Sequence, residues 1–100
     1  MEIMKIKDKE LLKVTLEGRL DTNTAPELEN EIKDDLIDVT NLVLNLYNLE
    51  YISSAGLRVI LMLHKKMAAL GGKFTILHPK DEVMEVFDMT GFSSFLNIED

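Results

Sequence analysis

The sequence predicts an α/β fold, a mainly parallel mixed sheet with helices packed on it, and three observations lead there. Runs with the period of a strand alternate with runs with the period of a helix, in the order β-β-α-β-α-β-α-β. The run Leu42-Val43-Leu44-Asn45-Leu46 is short, apolar and rich in branched residues, as a buried strand requires, and Tyr47-Asn48 is expected to stop it. After a bend, Leu57, Ile60, Leu61, His64, Met67 and Ala68 recur at helical spacing, and Gly71-Gly72 closes that helix. Strand–helix–strand units need right-handed crossovers and give parallel pairs, while the two opening strands add an antiparallel pair.

The elements follow in order. Ile3, Met4 and Ile6 suggest a first short strand, with a turn at Asp8-Lys9. Leu12, Val14 and Leu16 alternate with Lys13, Thr15 and Glu17 up to Gly18, a half-exposed strand by its period of two. The two strands are expected to form a hairpin with Lys9-Glu10 near its tip. Gly18-Arg19-Leu20-Asp21 ends the second strand, and Thr24 with Glu27 has capping-box spacing, with Pro26 inside the first helical turn. The first helix carries Leu28, Ile32 and Leu36 on one stripe and Glu27, Glu31, Asp34 and Asp35 towards water. Lys73 to Leu77 is a strand cut by His78-Pro79. Asp81-Glu82 start a third helix with Val83, Val86 and Phe87 on its apolar stripe, and Gly91 stops it. Phe95-Leu96-Asn97-Ile98 is expected to be a final edge strand.

Composition narrows the function. One hundred residues, nearly half apolar, make one domain, 1–100, with a real core. With no cysteine and two histidines, disulfides, thiolate chemistry and a multi-histidine metal site are set aside, and no metal or cofactor is expected. No apolar run approaches the roughly 20 residues of a membrane span, and the N-terminus lacks a signal-peptide core, so no membrane insertion and a cytoplasmic location are expected. From Asp21 to Glu50 eight acids face one base, Lys33, so this segment carries the entire net charge of −7. Without clustered Lys and Arg there is no nucleic-acid surface. The acidic segment reads first as a solvated helix face, and alternatively as a surface attracting a basic protein.

The bend between the buried strand and the long helix holds Ser53, Ser54, Ala55 and Gly56. A helix N-terminus has unpaired N–H groups and a partial positive charge, so it suits an anion. Serines there are also ordinary N-caps. On a helical wheel the apolar stripe runs from Val59 through Ile60 and His64 to Leu61, leaving Arg58, Met62, Lys65 and Ala69 on the other side. A methionine on that side suits an adaptable contact. His64 reads as a hydrogen-bonded core or boundary residue, His78 as a turn residue and Asp81-Glu82 as helix-start acids. A Ser54 nucleophile would need an oriented base, and Gly-x-Ser-x-Gly is absent, so an enzyme is not expected.

Gly18-Arg19-Leu20-Asp21 with Asn23-Thr24-Ala25, and then LNLYNLEYISSAGLRVIL from Leu44, resemble the STAS domain. Within that family the pattern is most similar to the small single-domain anti-sigma factor antagonists of bacteria. The likeness runs from the first strand to about Gly91, and two motifs in the right order make it specific. It implies a binding protein that, unphosphorylated, captures an anti-sigma factor that is also a serine kinase of GHKL type, and so frees a sigma factor. Phosphorylation at the start of the second helix breaks the complex, and a PP2C-type phosphatase resets it. The family's Asp-Ser-Ser-Gly reads Ser53-Ser54-Ala55-Gly56 here, so the acceptor falls on Ser54, with Ser53 the lesser alternative. Ser53 in place of the aspartate removes an acid beside the acceptor. That departure favours a second expectation, a constitutive STAS adaptor in a stress-sensing or lipid-transport assembly.

The resemblance also places the Asp21 loop beside the bend. The expected partner-binding patch is therefore Asp21, Asn23, Thr24, Ser53, Ser54, Ala55, Gly56, Arg58 and Met62. Many relatives carry a C-terminal helix, expected to be missing or very short in a chain that ends at Asp100.

Overall fold

The computed structural model describes residues 1–100. The strands are β1 (Glu2–Asp8), β2 (Leu11–Leu20), β3 (Asn41–Ile52), β4 (Lys73–Leu77) and β5 (Asn97–Glu99). The helices are α1 (Ala25–Ile32), α2 (Ser54–Ala69) and α3 (Asp81–Thr90), with a short 3-10 turn at Phe92–Ser94. All five strands join one sheet in the order β1-β2-β3-β4-β5. β1 pairs antiparallel with β2, and the other neighbours are parallel. The expected α/β fold and element order are therefore what forms. Lys9, with φ of 56°, and Glu10 make the two-residue tip of the hairpin.

Each parallel step moves the chain one strand in the same direction, so right-handed crossovers put all three helices on one face. The register shows the consequence. Leu12, Leu42 and Phe74 form one buried row, and Val14, Leu44 and Ile76 the next. The alternate row Lys13, Val43 and Thr75 turns away from the helices, and its first two members are half-exposed. Lys5 ties the outer strand to the turn after α1: its Nζ donates to the Asp35 carboxylate at 2.8 Å and to the Glu31 carbonyl at 3.0 Å. The hydrogen bond to Asp35 holds the ammonium above its ordinary lysine pKa.

Four local expectations are corrected. β3 does not stop at Tyr47-Asn48 but runs on to Ile52. Beyond Asn45 it has lost β4 as a partner, yet β2 follows it through two register shifts as far as the Leu20–Ile52 pair. Asn45 Oδ1 meanwhile accepts the Tyr47 N–H at 3.0 Å. α1 ends at Ile32, and Leu36 reaches the core from the following turn. The capping box does not form, because the Thr24 hydroxyl donates to the Arg19 carbonyl at 2.7 Å and makes no cap bond. The final strand starts at Asn97, since Phe95 and Leu96 are held by N–H bonds to the Phe92 carbonyl.

The stripe of α2 is also centred differently. Gly56, Leu57, Val59, Ile60, Leu63 and Met67 are buried, whereas Leu61 and His64 are half-exposed at its border. Leu63 is the residue the sequence pattern passed over. His64 packs its ring against Phe95, with centroids 4.9 Å apart.

Candidate functional site: the first turn of α2

The last residue of β3, Ile52, is buried, and the chain leaves the sheet at Ser53. Ser53 is extended, with φ of −100° and ψ of 177°, and its N–H donates to the Leu20 carbonyl at 2.9 Å. Its hydroxyl accepts from the Gly56 N–H at 3.4 Å, a long N-cap bond, and its carbonyl accepts the Leu57 N–H at 2.9 Å. Ser53 is thus the cap of α2, and Ser54 is the first helical residue, exposed. No acid lies in this first turn.

Gly56 sets how close the helix comes to the sheet. A Cβ there would lie 2.8 Å from Leu20 Cγ, 2.9 Å from Ile52 Cγ1 and 3.0 Å from the Leu20 carbonyl oxygen. Any side chain would push the first turn off the ends of β2 and β3. The glycine is there for approach, and its buried position makes it a spacer rather than a contact.

The neighbouring loop is built from its own polar groups. Asp21 Oδ1 accepts the N–H of Asn23 at 3.0 Å and of Thr24 at 3.1 Å. The Thr24 hydroxyl accepts the Asp21 N–H at 2.8 Å. The bond from the Thr24 N–H, followed by that from Asn23, holds the Asp21 carboxyl below its ordinary pKa. Arg19 lies over the Tyr51 ring, 4.2 Å from its centroid, with Nε 4.0 Å from Asp21 Oδ2. Asp21 and Thr24 therefore spend their polar atoms inside the loop.

Between this loop with α1 on one side and α2 on the other lies an open groove of about 500 Å³. Of the patch expected from sequence, Ala55, Arg58 and Met62 line it. They are joined by Thr22, Ala25, Pro26, Glu29 and Val59, which sequence reasoning missed. Thr22, Ala25, Pro26 and Glu29 stand at i, i+3, i+4 and i+7, a second stripe on α1 that was the available signal. Asp21, Asn23, Thr24, Ser53, Ser54 and Gly56 are not among the lining residues.

No three His, Cys, Asp or Glu side chains are arranged to hold a metal ion. His64 lies about 15 Å along the helix from Ser54, and His78 packs edge-on to Tyr47 with centroids 6.2 Å apart. No helix is long and apolar enough to cross a membrane.

The STAS domain family matches residues 2–100. The chain is 35% identical over 89 residues to BtrV of Bordetella bronchiseptica, a candidate anti-sigma factor antagonist, covering 88% of this chain and 77% of that protein. It is 31% identical over 93 residues to the anti-sigma F factor antagonist of Paenibacillus polymyxa, covering 90% and 79%. The anti-sigma factor antagonist SpoIIAA shares the fold at 20–21% identity, in its unphosphorylated form with a TM-score of 0.85 over 97% of this chain and 87% of that one. In its phosphorylated form the TM-score is 0.77, over 97% and 90%. Sheet order, the helix-start bend and these matches lead to one conclusion: the chain belongs to the STAS domain family, among its small anti-sigma factor antagonists.

Proposed function

We propose that the protein is a phosphorylation-controlled binding module acting in the cytoplasm, with residues 1–100 as one working domain. Unphosphorylated, it holds an anti-sigma factor that is also a serine kinase of GHKL type, and so raises sigma-dependent transcription. Phosphorylation of Ser54 releases that partner, and a PP2C-type phosphatase reverses the modification.

The observation that carries this is the position of Ser54. It is exposed, first in α2, and free of the capping duty that Ser53 performs. The hydroxyl is thus open to a kinase, and the fold does not depend on it. A phosphate adds about −1.5 to −2 charges where a helix N-terminus tolerates them, so the domain keeps its structure. A partner packed over the same turn would have to desolvate a dianion, at a cost of several kcal/mol. Ala55, Arg58 and Met62, next to Ser54 on α2, offer that partner a mostly apolar groove with a charge at each rim, Arg58 and Glu29. Binding, not catalysis, is the role this reading assigns, since His64 lies about 15 Å along α2 from Ser54 and His78 packs against Tyr47.

The test is capture from native lysate with the wild-type protein and with Ser54→Asp, read by mass spectrometry. The wild type is expected to enrich a GHKL-type kinase that Ser54→Asp loses. Equal capture by both baits would remove the phosphorylation step. It would leave the second reading, a constitutive adaptor, which Ser53 in place of the family's aspartate favours.

A further inference from the structure

We propose that Arg58 is an intramolecular clamp for a phosphate on Ser54, and that closing the clamp draws the guanidinium off the rim of the α1–α2 groove. This deepens the function above and rests on Ser54 being the acceptor. Ser54 and Arg58 are the first and fifth residues of α2, and both are exposed. Residues four apart on a helix are surface neighbours, with Cβ atoms about 5–6 Å apart. Helical side chains lean towards the N-terminus, so Arg58 leans over the turn that holds Ser54. An acid placed four residues before a base is also the more favourable order of the two.

Arg58 is uncommitted without the phosphate. The ion pairs of the molecule involve Lys5 and Arg19, and none involves Arg58. Its side chain instead lines the groove beside Ala55, Val59 and Met62, with Glu29 of α1 among the residues opposite. The other charged groups near this face do not replace it. Glu29 is a single carboxylate beyond ion-pair distance, Arg19 is engaged by Tyr51 and Asp21, and Lys65 is about 16 Å along the helix from Ser54. A phosphoserine has three strong acceptor oxygens, and a guanidinium meets two of them at once in a way an ammonium does not. The phosphate then acts twice on a bound partner. It places a dianion on the first turn, and it removes the one cation from the groove rim.

The experiment installs phosphoserine at position 54 of the full chain by genetic-code expansion, so that no kinase is needed. Phosphorus NMR then follows the phosphate titration, and nitrogen-15 NMR follows the Arg58 Nε–H. The expected result is an Arg58 Nε–H resonance that moves on modification, with the phosphate pKa about 0.3 unit lower than in the Arg58→Ala chain carrying the same phosphoserine. Arg58→Lys recovers part of the pKa shift, since it keeps the charge and loses the fork. An unmoved Arg58 resonance together with equal titrations in parent and Arg58→Ala chains would overturn the clamp. If the installed phosphate closes on Arg58 while cellular kinases leave Ser54 unmodified, the clamp stands and only the acceptor assignment fails.

Discussion

The first turns of α2 and α3 follow parallel strands of the same sheet, and position for position they are built in opposite ways. α3 opens with Asp81 and Glu82, two permanent carboxylates on its dipole, and has no side-chain cap at Lys80. α2 opens with Ser54 and Ala55, has no acid, and is capped by Ser53. The third residue is Val83 in α3, fully buried, and Gly56 in α2, where no side chain fits. The fifth residue is Glu85 in α3, a like charge to Asp81, and Arg58 in α2. One helix start is neutralised for good and anchored through a core side chain. The other is pressed onto the sheet by its backbone, with its charge left to be supplied. The phosphorylation proposed for Ser54 would suit the second design, because a charge that is always present carries no information.

The largest effect that would sharpen this contrast is at the third position. Gly56→Val is expected to destabilise the fold by about 2–3 kcal/mol through overpacking against Leu20 and Ile52. Val83→Ala is expected to cost about 2 kcal/mol for the opposite reason, a vacated core site. Urea unfolding measures both, and a neutral Gly56→Val would mean that α2 is not held by close approach. Next comes the cap. Ser53→Ala is expected to lose about 1 kcal/mol, whereas Lys80→Ala, which removes no cap bond, leaves the unfolding midpoint unchanged within error. Equal losses at the two positions would erase the difference between the termini. The smallest effect is that of charge. Ser54→Asp is expected to stabilise by about 0.3–1 kcal/mol at low salt, and Asp81→Ser to destabilise by a similar amount, both fading as salt is added. A salt-independent loss in Ser54→Asp would show that this terminus does not accept an anion.

How much of this was legible in the sequence depended on the range of the interaction. Leu12, Val14 and Leu16 announce a strand by themselves, and β4 was bounded correctly because Pro79 is a local stop. The continuation of β3 past Tyr47 was hidden, since it depends on β2 shifting register alongside it. The capping box had the right residues, but the Thr24 hydroxyl finds the Arg19 carbonyl, an acceptor known only once the corner has folded. At the site, Arg58 and Met62 could be named from helical spacing, and Ser54 from the resemblance to the STAS motif. The other wall of the groove carried a signal, the i, i+3, i+4, i+7 stripe of Thr22, Ala25, Pro26 and Glu29, but what that stripe faces is settled only when α1 lies beside α2. Asp21 Oδ1 is also taken up by the N–H groups of its own loop, a role that spacing alone did not show.

The pairing of Leu20 with Ile52 has a kinetic side. The β1–β2 hairpin is local and forms on a timescale of about 1–10 μs, but the parallel ladders join segments far apart in the chain, Leu11 with Asn41, Asn41 with Lys73 and Thr75 with Asn97. Such non-local contacts form late, after the loops between them have closed. The bond from the Ser53 N–H to the Leu20 carbonyl spans the same gap, so the turn bearing Ser54 takes shape only when that long-range closure is complete. A chain still emerging from the ribosome, or one partly unfolded by stress, therefore displays the serine without the surface around it.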